Sequence, residues 1–95
     1  MIDKNELLDN YILGSGMFGY CPWWTDVTET DDGVTVTSWE GVHTLTASQV
    51  RSAFVTLVME GFPALKGTDL DDPDLDATMA DCILQRAAFG EVIYG

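Results

Sequence analysis

The chain has 95 residues and a mass of 10.4 kDa, with sixteen acids against four bases, for a net charge of −12 and a pI near 4.1. That length fits one small domain, and an apolar fraction of 46% is enough for a core rather than a disordered tail. The charge argues against direct binding to nucleic acid or to an anionic membrane, because phosphates demand Lys and Arg.

The opening segment MIDKNELLDN puts acids where a secretory leader needs bases, and no apolar stretch follows it. The longest uncharged run, Asn10 to Thr25, contains Gly14, Gly16, Gly19 and Pro22 and cannot form a spanning helix of about 20 apolar residues. A soluble, cytoplasmic protein is expected. Cys21 and Cys82 are isolated, with no CxxC spacing, so they read as small apolar residues of a reducing compartment rather than as zinc ligands or a disulfide.

Asp3 to Leu13 reads as a first helix. Asp3 with Glu6 resembles a capping box, Ile2 with Leu7 a hydrophobic staple, and Gly14 stands where a terminating glycine belongs. Gly14 to Trp24 is an uncharged, glycine- and aromatic-rich loop. Its Phe18, Tyr20, Trp23 and Trp24 either lid the small core or form an exposed contact patch.

Trp24 to Thr46 reads as a three-stranded meander. The strands are Trp24–Thr30, Val34–Trp39 and Val42–Thr46, with turns at Asp32-Gly33 and Glu40-Gly41. Alternation implies one buried and one wet face, and leaves open whether Val34 and Val36 or Trp39 turn inward.

Thr46-Ala-Ser-Gln49 is a capping box opening a second helix, in which Val50, Ala53, Phe54, Leu57 and Val58 share one face. Gly61 ends it, and Pro63 confirms the stop. After the acidic run Thr68 to Asp76, with Asp72 as N-cap and Pro73 at the first helical position, Leu75, Met79, Cys82, Ile83 and Ala87 line a third helix that Gly90 closes. Val92 to Tyr94 forms a short apolar tail. The expected fold is a small α+β domain in the order α-β-β-β-α-α, with helices covering one face of the sheet.

Catalytic and metal chemistry find little footing. His43 is the single histidine and lies in a predicted strand, at its solvent side or rim. GSGMFG lacks the Lys-Ser/Thr of a phosphate loop and follows a helix rather than a strand. Counted as a calcium loop from Asp69, the acidic run places Pro73 at position 5 and Ala80 at position 12, where oxygen ligands are required. No enzyme activity, metal or cofactor is expected. Asp72, Asp74 and, at the end of the run, Asp76 fit instead as acids favoured by the helix dipole.

The remaining acids are spread over folded elements rather than over one tail. Asp3, Glu6 and Asp9 fall on the first helix, where Asp3 and Glu6 stand about 5–6 Å apart. Asp26, Glu29, Asp31, Asp32 and Glu40 belong to the hairpins, and Asp69 and Asp71 precede the third helix. Along a strand such acids stand about 7–10 Å apart, on the order of the spacing between successive phosphates of a nucleic-acid strand. The hairpin acids with Asp69 and Asp71 are the candidate partner-binding residues, and the partner they fit is a basic, nucleic-acid-binding protein. Phe18, Tyr20, Trp23 and Trp24 are the alternative contact set, for an adaptor or assembly protein whose charge serves only solubility or high-salt adaptation.

In size, charge and lack of catalytic motifs, the chain resembles the small acidic proteins of bacteriophages and mobile elements. Among those are DNA-mimic inhibitors of restriction or CRISPR–Cas systems. The resemblance implies an anti-defence inhibitor working in a host cytoplasm, and it assigns no residue a role.

Overall fold

The computed structural model describes residues 1–15 and 24–93, with Trp24 and Thr25 described in their backbone alone. The loop residues Phe18, Tyr20 and Trp23, Cys21 and the end of the tail at Tyr94 therefore lie outside the described residues. Three helices and one antiparallel sheet follow in the expected order, α-β-β-β-α-α.

α1 (Lys4–Glu6) is opened by Asp3, whose carboxylate accepts the N–H groups of Asn5 and Glu6 at 3.0 and 3.2 Å. It then widens into a π-helical stretch, Leu7–Ile12, before a 3-10 turn over Leu13–Ser15. A regular α-helix over Asp3 to Leu13 is thus corrected. The wider turn lets Leu7, Leu8 and Ile12 bury together, and the N–H of Leu13 reaches back five residues to the carbonyl of Leu8. Gly14 does not end this segment. It lies inside the 3-10 turn, while the Ser15 hydroxyl donates to the Ile12 carbonyl at 2.6 Å.

β1 (Trp24–Thr30), β2 (Gly33–Ser38) and β3 (Gly41–Thr46) form a sheet in the order β1-β2-β3. Both turns sit one residue earlier than the sequence suggests, at Asp31-Asp32 and Trp39-Glu40. Gly33 belongs to β2 because no side chain fits there: a Cβ would stand 1.8 Å from the Leu45 carbonyl oxygen. Gly33 thus serves close backbone approach, whereas Gly41 serves conformation, entering β3 at φ +118°.

Register settles the facing of the sheet. Val36 lies opposite Val27 and His43, and Val34 opposite Glu29 and Leu45. Val34, Val36, Ser38 and Leu45 are buried under the helices, while Trp39 is 70% exposed. The other face carries Asp26, Thr28, Thr35, Thr37, Val42 and Thr44, and it stays open enough to leave Val42 67% exposed. An extra residue, Thr25, separates the Trp24–Ser38 and Asp26–Thr37 pairs as a bulge.

α2 (Ala47–Met59) begins in the expected capping box. Thr46 Oγ1 accepts the N–H of Gln49 at 3.1 Å, and Gln49 Oε1 accepts that of Thr46 at 2.8 Å. It ends through Gly61 at φ +72°, with Phe62 N–H bonded to the Leu57 carbonyl and Gly61 N–H to that of Val58. That is the two-bond closure a left-handed glycine allows. Phe54 and Leu57 are buried, joined by Leu7 and Leu8 of the π-helical stretch, the sheet valines, Leu65, and Ile83 and Leu84 of the last helix.

α3 (Ala77–Phe89) starts four residues later than the sequence suggests. Its cap is Asp76, whose carboxylate accepts the Met79 N–H at 2.9 Å. Asp72 and Pro73 stay in an irregular connector where Pro73 is buried. Asp72 and Asp74 are therefore not first-turn acids, and of the three Asp76 alone keeps the dipole role, as the N-cap. Gly90 closes the helix at φ +80° as expected. Among the described residues, no helix is long and apolar enough to cross a membrane.

Candidate acidic interface

Every Asp and Glu except Asp81 is exposed. Asp26 and Glu29 occupy β1, an edge strand, but on opposite faces. Asp26 shares the open face with its partner Thr37, and Glu29 borders the core face opposite Val34. Side chains an odd number of residues apart on a strand must part in this way. Together they straddle the rim of the sheet and present carboxylates to anything approaching from the edge. Charges on an edge also keep a second strand from pairing there.

Asp31 and Asp32 cap one end of the sheet, and Glu40 lies in the turn at the other, separated by the six residues of β2, about 20 Å. The Asp31-Asp32 turn is tied into a larger acidic border. The Ala47 N–H donates to the Asp32 carbonyl at 2.8 Å, joining the turn to the start of α2. Lys4 Nζ meets Ser48 Oγ at 3.3 Å, joining α2 to the N-terminal segment. The Ile2 N–H then donates to the Leu70 carbonyl at 2.9 Å, setting Asp3 beside the stretch that holds Asp69 and Asp71. Asp69 turns its carboxylate onto the Asp71 N–H at 2.8 Å, and Asp71 pairs with the terminal amino group.

A relay of hydrogen bonds through the start of α2 and the N-terminal segment thus connects the Asp31-Asp32 turn to the Asp69–Asp71 stretch, while Glu40 lies in the turn at the other end of the sheet. The relay also adds Asp3, which sequence reasoning left out of the interface. Local spacing marks Asp3 as a cap but not as a neighbour of Asp69 and Asp71, because the bond that places it joins residues 68 positions apart. Asp69, Asp72 and Asp74 line an open cleft of about 420 Å³ together with Lys66. Among the described residues, no group of three or more His, Cys, Asp or Glu is arranged to hold a metal ion.

One pairing of chemically interesting side chains was not foreseen. Ser38 Oγ lies 3.3 Å from His43 Nε2, and the imidazole meets the Phe89 ring edge-on at 4.9 Å. The half-buried His43 is at the rim of the core face. Ser38 also accepts the Glu40 N–H at 3.1 Å, so its hydroxyl shapes the β2–β3 turn. Among the described residues no carboxylate pairs with the ring to orient it as a general base. The pair holds the β2–β3 turn against α3.

No protein-family model, no curated protein and no solved structure matches this chain.

Proposed function

We propose that the protein is an acidic inhibitor that occupies the basic nucleic-acid-binding surface of a partner protein, in the manner of phage anti-defence proteins that stand in for DNA. One observation carries the reading: in a chain of net charge −12, folded elements and their short connections hold every carboxylate except that of Asp81 at the surface. A disordered acidic tail would lose conformational entropy on binding a groove, whereas carboxylates held on a sheet rim and a braced loop lose little. The bases do little to neutralise this array. Lys4 and Arg51 contact a hydroxyl and a carbonyl, and Arg86 pairs with Glu60.

The experiment is capture on the immobilised full chain from a bacterial lysate at low salt, followed by elution with rising salt. Retained proteins identified by mass spectrometry are then tested for binding labelled DNA or RNA in the presence of this chain. The reading expects a nucleic-acid-binding protein whose nucleic acid is displaced. Retained proteins that bind nucleic acid and this chain at the same time would contradict it.

A further inference from the structure

α2 differs from the other helices in its charge. Its thirteen residues contain no carboxylate, although the chain holds sixteen. Val50, Ala53, Phe54 and Leu57 face the core, so Ser48, Ser52 and Met59 lie outward, with the half-buried Val55 on the same stripe at helical intervals of three and four. Met59 is 74% exposed. The scarce cations collect around this stripe: Lys4 at Ser48, Arg51 beside Ser52 and Val55, and Arg86 across a shallow cleft shared with Ser52 and Thr56. Of the carboxylates at its margins, Glu60 is paired with Arg86 and Asp71 with the amino terminus, while Asp3, Asp32 and Glu91 stand farther out along its ends.

We propose that this face is a homodimer interface, on which a second copy of the chain lays its own α2 antiparallel across Ser52 and Val55. Charge selects the occupant. Two copies at −12 repel each other wherever they meet through their acidic surfaces. The α2 face is the region where the helix brings no carboxylate and three of the four bases stand by. It is also self-complementary under a two-fold axis. Ser48, with Lys4 on it, and Glu60 lie about 18 Å apart along the helix. An antiparallel partner therefore brings Lys4 of each copy toward Glu60 of the other, and opposes the helix dipoles favourably. The small side chains of Ser48 and Ser52 leave room for Met59 of the second copy. This inference stands on the charge distribution and does not depend on the inhibitor reading.

The test is sedimentation equilibrium of the full chain over a concentration series, at low and moderate salt. The mass should rise from 10.4 kDa toward twice that value, with tighter association at moderate salt, where the mutual repulsion is screened. S52E places a charge on the exposed stripe and should weaken association about tenfold or more, with an unchanged circular dichroism spectrum. K4E and E60K should each associate weakly alone, and their equimolar mixture should dimerise, since the mixed pair restores opposite charges at both ends. A wild-type mass that stays at the monomer value throughout overturns the proposal. So does an S52E variant that dimerises as well as wild type, or a K4E and E60K mixture that is not rescued.

Discussion

The main-chain N–H of Ile2 donates to the carbonyl of Leu70 at 2.9 Å, and this bond sets the N-cap Asp3 beside the distant stretch that holds Asp69 and Asp71. Mutual repulsion opposes such an arrangement of acids. Burial of Ile2, Leu7 and Leu8 in the common core outweighs it, at about 1.5–3 kcal/mol for each large apolar side chain. The acidic border is thus held by apolar packing beneath it.

The core helix gives the first prediction. Leu57 is 3% exposed and packs within the apolar core cluster. Leu57→Ala should destabilise the protein by about 2–5 kcal/mol in urea unfolding. A change below about 0.5 kcal/mol, typical of a surface site, would show that α2 is not the core helix.

Two glycines should respond oppositely to alanine. Gly33→Ala forces a Cβ into the Leu45 carbonyl and should cost at least about 2 kcal/mol, because the backbone of β3 must move. At Gly14 the nearest atom is the Asp9 carbonyl oxygen at 3.7 Å, an ordinary contact. Gly14→Ala should be neutral or slightly stabilising through the unfolded chain. Thermal unfolding of both variants side by side checks the pair.

Capping of α3 separates Asp76 from its acidic neighbours. Asp76→Ala removes the acceptor of the Met79 N–H and should cost about 1 kcal/mol. Asp72→Asn and Asp74→Asn, outside the helix, should leave the denaturation midpoint unchanged. Equal losses at all three positions would restore Asp72 as the start of the helix.

Cys82 supplies a pH dependence. Burial, and then the carboxylates of Asp81 and Asp76, raise its thiol above the ordinary range. Above about pH 8.5 an unfolded chain releases this proton while the folded chain keeps it. The unfolded state then binds fewer protons, so stability falls as pH rises through that window. In a Cys21→Ser background, Cys82 should react slowly with iodoacetamide when native and rapidly in urea. The stability loss at alkaline pH should shrink in a further Cys82→Ala variant, after allowance for its lower baseline.

Features set by neighbouring residues were legible in the sequence, and features set across the fold were not. The Thr46–Gln49 box, the apolar spacing from Val50 to Leu57 and Gly61 define α2 from within one stretch of chain. The π-helical turn was hidden because the Leu7–Ile12 spacing shows as such only once both side chains meet the core. Asp72-Pro73 and Asp76 are both good helix openers, and the burial of Pro73, a tertiary contact, favoured the second. The parting of Asp26 and Glu29 across the sheet rim followed from strand periodicity and was available from the sequence alone. The joining of Asp3 to the Asp69–Asp71 stretch was not.

The central claim is that exposed carboxylates on folded elements recognise a basic nucleic-acid-binding protein. It is tested most directly by the association rate with the protein captured at low salt, for wild type and for the D26N/E29Q/D31N/D32N variant, across a salt series. The account predicts a wild-type rate that falls steeply with salt, and a variant rate that is slower and less salt-dependent, with folding stability unchanged. A rate indifferent to both salt and these four acids would contradict the account and transfer recognition to the aromatic segment Phe18 to Trp24.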